Sequence, residues 1–166
     1  MALVAVFATG CGGGPRDVNG AAAPPAVQRS AEELLENPCV LLTDAEVTQV
    51  LGAPVQGVAE NADGYYSTCE WEVPAQPGAY SSSVSLHYWP KGGKVVAADW
   101  KQNPANSPEP VALGDAAGWD PVTGLAVVVD DTQLTIAGYL AQPGSRNPLP
   151  KDTIIALAKL AAARAG

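Results

Sequence analysis

Residues 81–89 read SSSVSLHYW, and this alternating stretch decides the fold. A strand directs successive side chains to opposite faces, with a period of two residues. One face is apolar and is formed by Val84, Leu86 and Tyr88. The other face is formed by Ser85, His87 and Trp89. Pro90 and the glycines at 92–93 end the pattern, so we predict a strand that packs one face on the core.

The sequence on either side of this strand predicts a sheet and several helices. Further strands are expected at residues 65–73, 125–129 and 133–139. Helices are expected at residues 31–36, 44–51, 94–102 and 151–164. Thr43 and Glu46 have the spacing of a capping box at the start of the second helix, and Gly52 ends that helix. These elements predict an α+β fold, in which helices pack on one face of an antiparallel sheet and strands followed by a helix form two weakly similar halves.

The length and composition predict one globular domain, at residues 30–166, and exclude several classes of function. The chain has 166 residues and a formal net charge of −8, and its nine lysines and arginines are scattered singly. Nucleic acids and anionic lipid surfaces need clustered cations, so both are poor partners. The sequence contains no phosphate-binding loop, dinucleotide fingerprint or zinc-ligand cluster, so we expect no cofactor and no metal.

The start of the chain resembles the lipobox of a bacterial lipoprotein. A short apolar run and the small pair Thr9-Gly10 precede Cys11, and three glycines follow it. The pattern implies a signal peptide at residues 1–10, truncated at its start, and a lipid on the Cys11 thiol. Residues 11–29 are rich in Gly, Ala and Pro and predict a flexible tether. We therefore expect an extracytoplasmic protein that its lipid holds at the outer face of the plasma membrane.

Two further cysteines, Cys39 and Cys69, lie within the predicted domain. In an exported chain an even pair of cysteines predicts a disulfide. A redox or metal-binding pair is the alternative. The cysteines lack the Cys-x-x-Cys spacing and a neighbouring histidine, so the disulfide is favoured.

Three short motifs carry a resemblance to a known family. They are PCVLLT at residues 38–43, CEW at residues 69–71 and GDAAGW at residues 114–119. With Gly52 and Pro54, they make the chain similar to a family of small actinobacterial lipoproteins of unknown function. The resemblance covers residues 39–166. It implies a surface lipoprotein with a disulfide between Cys39 and Cys69, and it implies no enzyme activity.

The strand at residues 81–89 also carries the candidate functional residues. His87 is the only histidine of the chain and lies beside Ser85, but no Gly-x-Ser-x-Gly motif surrounds any serine. Four tryptophans and five tyrosines are many for so small a domain. They either line a groove for a ligand or fill a core that is poor in Phe and Met, and core packing is expected for Trp71 and Trp119. Trp89 falls on the polar face, so Ser85, His87 and Trp89 are the candidate ligand-binding residues.

Two functions remain open. The first is a non-catalytic binding module of the cell envelope, with an envelope protein, lipid or glycan as its partner. The alternative is an envelope hydrolase that uses His87 with nearby serine or acidic residues. The first is favoured because no nucleophile and base stand together in a known motif.

Overall fold

A computed structural model describes residues 29–62 and 64–166. The predicted signal peptide and residues 11–28 of the predicted tether lie outside these described residues, and so does Asp63. Lipid attachment at Cys11 therefore stays a prediction.

Antiparallel pairing joins all strands of the described residues into one eight-stranded sheet. The strands are β1 (Gly57–Ala62), β2 (Tyr66–Glu72), β3 (Ser83–Trp89), β4 (Glu109–Pro110), β5 (Ala116–Asp120), β6 (Gly124–Val129), β7 (Thr132–Gln142) and β8 (Ser145–Pro148). Their order in the sheet is β1-β2-β3-β7-β6-β5-β4, and β8 pairs with the second half of β7. The helices are α1 (Ala31–Glu36), α2 (Asp44–Leu51), α3 (Gly93–Gln102) and α4 (Lys151–Ala165), with 3₁₀ turns at Pro38–Leu41 and Pro104–Asn106. The predicted α+β fold with an antiparallel sheet is confirmed.

The core lies on the face of the sheet that the alternation of β3 predicts. Val84 and Leu86 are fully buried and Tyr88 is 2% exposed. The pairing aligns four core residues in one row across neighbouring strands: Cys69, Leu86, Ile136 and Leu125. We call this side of the sheet the core face. Helix α4 packs against β7 and β6 and α1 against β1 and β2, so both helices cover the core face.

Helix α2 begins with the predicted capping box and is tied to the end of α4. The Thr43 hydroxyl accepts the Glu46 N–H at 3.3 Å, and the Glu46 carboxylate accepts the Thr43 N–H at 2.8 Å. The same carboxylate accepts two hydrogen bonds from the Arg164 guanidinium, at 2.7 and 2.8 Å. Arg164 also donates to the Leu41 carbonyl at 3.0 Å. These charge-assisted bonds fix both helices over the sheet.

The predicted disulfide is confirmed. It joins Cys39, in the first 3₁₀ turn, to Cys69 in β2, with a Cα–Cα distance of 5.1 Å. The two cysteines are 30 residues apart, so the bond removes about 3–4 kcal/mol of chain entropy from the unfolded state. The bridge attaches the helical start of the domain to the sheet.

Beside the disulfide, β1 approaches the buried Trp71 closely. The Asp44 carboxylate accepts the Trp71 indole N–H at 2.8 Å and the Gly57 backbone N–H at 2.9 Å. A Cβ at Gly57 would lie 2.7 Å from the Trp71 indole nitrogen and 2.8 Å from the Cys69 sulfur. Glycine is therefore required where β1 passes the indole and the disulfide.

Helix α3 makes a smaller packing contact on the other side of the sheet. Val128 alternates with the core residues Val127 and Val129 along β6, and it is 1% exposed. A Cβ at Gly93 of α3 would lie 2.9 Å from Val128, so the start of α3 rests on that side chain.

The two halves that the sequence suggests meet at the central pair β3–β7, and each is an antiparallel run of strands later followed by a helix.

Candidate binding face

The side of the sheet opposite the core face is left partly open. Helix α3 and the segment after it cover this side over β6 and β5, where Pro108 packs on Gly118. Apart from the buried Ser83, the side chains of β1, β2, β3 and β7 on the same side are half-buried or exposed. We call these residues the open face: Val58, Glu60, Tyr66, Thr68, Glu70, Glu72, Ser85, His87, Trp89, Gln133, Thr135 and Ala137. The candidate residues Ser85, His87 and Trp89 all belong to it.

An aromatic stack lies on the open face. The ring of Trp89 is stacked with Tyr66, at a centroid distance of 5.7 Å and an interplanar angle of 25°. It is also stacked with His87, at 5.6 Å and 16°. Trp89 and His87 are two residues apart on β3, and the pairing of Ser67 with Tyr88 brings Tyr66 beside Trp89 from the neighbouring strand. The three half-buried rings form one continuous aromatic surface.

The environment of His87 favours its neutral form. Burial lowers the pKa of His87, and the nearby Glu70 carboxylate opposes this effect. Thr68 and Thr135 flank His87 on the neighbouring strands. The imidazole contributes a polar edge to the stack.

Ser85 lies on the open face between Glu70 of β2 and Ala137 of β7. Among the described residues, the structure shows no hydrogen bond between the Ser85 hydroxyl and the His87 imidazole, which is the contact that a serine nucleophile and its base need. No group of three or more candidate metal ligands occurs in residues 29–62 and 64–166.

Carboxylates lie beside the stack along β1 and β2. A shallow groove of about 280 Å³ is lined by Gln56, Val58, Glu60, Thr68, Glu70 and Glu72. Its lining contains three acidic side chains and, within the described part of the chain, no lysine or arginine. At the opposite margin the Arg146 guanidinium lies 4.3 Å from the centroid of the Tyr139 ring and donates to the Ser83 hydroxyl. The open face is therefore acidic at its β1 margin.

The other tryptophans have different environments. Trp71 is fully buried and Trp119 packs against the core, so the core packing expected for both is confirmed. Trp100 is half-buried on α3.

Tyr66 was not predicted from the sequence to be a site residue. Its place in the stack depends on the pairing of β2 with β3, although period-two alternation with Thr68 and Glu70 already assigns it to the polar side.

The fold and this face define a small disulfide-linked α+β domain that leaves part of one sheet face open. A family described as protein of unknown function (DUF3558) matches residues 6–144, and the chain belongs to this family. The match agrees with the resemblance to a family of unknown function. No curated protein and no solved structure matches the chain. No helix in the described ranges has both the length and the apolar character needed to cross a membrane.

Proposed function

We propose that this protein is a small lipoprotein of the actinobacterial type, anchored through Cys11 to the outer face of the plasma membrane. Its domain binds a protein, lipid or glycan of the cell envelope on the open face and catalyses no reaction. The observation that carries the binding role is the half-buried stack of Tyr66, Trp89 and His87.

The anchor is supported by the sequence around Cys11. An apolar run and two small residues precede this cysteine, and Gly12, Gly13 and Gly14 follow it. A single acyl chain gives weak, reversible membrane binding, whereas a diacylated cysteine buries two chains and holds stably. The scattered cations of the chain would add little to this attachment.

Two properties of the stack support the binding role: its exposure to water and its chemistry. Three adjoining aromatic rings that stay in contact with water forgo the stabilisation that burial would provide, and exposed patches of this kind mark binding sites. A flat aromatic surface packs on an apolar chain, on the apolar face of a sugar ring or on another aromatic side chain. Ser85, Thr68 and Thr135 supply hydroxyl groups around the rings for hydrogen bonding.

The anchor is tested by expressing the full chain in an actinobacterial host with an alkyne analogue of palmitate. Wild-type protein should carry the label and sediment with the membrane fraction. The Cys11→Ser variant should be unlabelled and appear in the soluble fraction. Equal labelling and equal localisation of the two forms would remove the lipoprotein proposal.

The binding role is tested by crosslinking in intact cells, followed by recovery of the protein and mass spectrometry of bound proteins and small molecules. Trp89→Ala should abolish recovery of the specific ligand. Trp100→Ala is the matched control, because Trp100 is also half-buried but lies on α3, away from the stack. Loss of the ligand in both variants, or in neither, would contradict a binding site at Trp89.

A further inference from the structure

The two ends of the sheet differ in how their edges are protected. At one end the last strand, β4, has two residues and contains Pro110. At the other end β1 has six residues, and all six pair with β2 in an unbroken register. Proteins protect exposed edge strands with proline, charged side chains, bulges or short length. Strand β1 has no proline, lysine or bulge and one charged side chain, Glu60, and no strand of the described residues pairs with its outer edge.

Backbone groups on the outer edge of β1 are directed away from the sheet. The Gly57 N–H donates to Asp44 rather than to β2, so this residue directs its N–H outward. Residues of an antiparallel strand alternate between bonding to one neighbour and facing the other side. Ala59 and Asn61 therefore direct their N–H and C=O groups outward as well. Together they offer two donors and two acceptors to an additional strand.

A hollow lies on each side of this edge. On the core side, a hollow of about 570 Å³ lies between β1 and the residues from Glu36 to Asp44, and Gly57 and Ala59 form its β1 wall. On the other side is the groove of about 280 Å³, whose β1 wall is formed by Val58 and Glu60. Successive side chains of an added strand point to opposite faces, so they would enter the two hollows in turn.

Both hollows are acidic. Glu36 and Asp44 line the hollow on the core side. Glu60, Glu70 and Glu72 line the groove on the open face. No lysine or arginine of the described ranges lines either of them. An occupant with positive side chains on both faces would be electrostatically complementary, whereas a second copy of this chain would bring the same carboxylates together.

We propose that the outer edge of β1 is a docking site for an extended, lysine- or arginine-containing segment of a protein partner. The segment adds to the sheet as an antiparallel strand through Ala59 and Asn61 and places its basic side chains in the two acidic hollows. This site adjoins the Trp89 stack through Thr68 and Glu70 but contains none of its three rings, and it does not depend on the lipid anchor.

The test uses a fluorescein-labelled peptide in which lysine and valine alternate, titrated with the wild-type full chain and followed by anisotropy. Saturable binding is expected, and affinity should fall as salt is raised because the attraction is between exposed charges. A peptide in which glutamate replaces lysine should not bind. A lysine peptide with N-methyl groups on alternate backbone nitrogens should bind at least about tenfold more weakly, because it lacks the strand donors. Equal binding of the methylated peptide would overturn the proposal.

Substitutions in the protein itself, rather than in the peptide, test the same site. Ala59→Pro removes an outward N–H that β2 does not use, so it should preserve the fold and weaken peptide binding at least about tenfold. Glu60→Gln should weaken binding and reduce its salt dependence, whereas Asp130→Asn, in the distant β6–β7 turn, should change neither. Trp89→Ala should leave peptide binding intact, which separates this site from the open-face stack.

Two outcomes would count against the proposal even if Ala59→Pro failed to fold. Hydrogen exchange on the wild-type protein should show the amides of Ala59 and Asn61 slowed by the lysine peptide. Unchanged exchange at both amides, with the peptide bound, would overturn the docking site. A stable dimer in sedimentation without peptide, broken by Glu60→Lys or Ala59→Pro, would assign the edge to a second copy instead.

Discussion

Glu46 connects three parts of the molecule through one carboxylate. It completes the capping box of α2, pairs with Arg164 of α4, and through Arg164 reaches the Leu41 carbonyl. The Arg164 hydrogen bond is the main cause that lowers the pKa of Glu46 from 4.5 to about 2, while burial opposes it. The charged form of this carboxylate is therefore an integral part of the folded state.

Glu46→Gln should lower the free energy of unfolding by about 1–3 kcal/mol at pH 7, between the usual values for exposed and buried ion pairs. Because the folded-state pKa of Glu46 lies below its unfolded value, the contribution is complete above about pH 4.5 and is lost as the pH falls toward 2. Urea unfolding from pH 7 to pH 2.5 measures it. Wild type and variant should converge at low pH, and Glu32→Gln, on the exposed start of α1, should behave as wild type throughout. A difference that grew toward low pH would contradict the ion pair.

Trp89 should be distinguishable from Trp71 by solvent access. Trp71 is fully buried, whereas Trp89 is half-buried on the open face. Acrylamide should quench a fraction of the wild-type tryptophan fluorescence, and Trp89→Phe should reduce that quenchable fraction. Trp100→Phe should reduce it as well, through a separate surface. If wild type showed no accessible component, the open face would be covered in solution.

The candidate site was predictable only as far as a single strand determines it. Alternation along one strand is local, so Ser85, His87 and Trp89 could be assigned to one face without knowing the fold. The partner ring Tyr66 depends on the register between β2 and β3, which is set by contacts between distant residues. For the same reason the carboxylates of the β1 margin were not connected with the site beforehand.

The elements were predictable where local chemistry is strong. The caps of α2, the alternation of β3, the β6–β7 hairpin and the apolar face of α4 are all encoded by neighbouring residues, and the structure contains each of them. Strands β1, β4, β5 and β8 were not predicted. Their sequences are short or rich in Gly, Ala and polar residues. Pairing makes them strands: β1 pairs with β2, β4 with β5, β5 with β6, and β8 with β7.

The element that the disulfide stabilises most is the helical start of the domain. The first 3₁₀ turn and α1 contact the sheet through β1, β2 and β3, and Cys39–Cys69 is the covalent link among them. The double variant Cys39→Ser with Cys69→Ser should lose about 3–4 kcal/mol of unfolding free energy. Chemical denaturation of this variant and of reduced wild type should give similar losses. An unchanged stability would mean that the cross-link hardly constrains the unfolded chain.

At the scale of the whole molecule, the negative charge shapes contacts with membranes. The formal net charge is −8, and the nine lysines and arginines are scattered singly along the sequence. The unlipidated Cys11→Ser protein should therefore not float with vesicles of anionic phosphatidylglycerol at low salt. Phosphatidylcholine vesicles provide the neutral control. Flotation with the anionic vesicles but not with the neutral ones would contradict this prediction, because it would indicate a cationic patch on the surface of the domain.

The central pairing of β3 with β7 also governs when the domain can form. Val84 lies opposite Gly138, and β6, β5 and α4 assemble on the far side of this junction. A nascent chain that has emerged only as far as α3 has three strands, and the third is paired with β2 but lacks its second neighbour, β7. Pairing between strands that are far apart in the sequence, such as β3 and β7, raises the contact order of a fold and slows its folding. Under the proposed export, a chain in transit would therefore remain incompletely folded until residues 132–142 have also crossed the membrane.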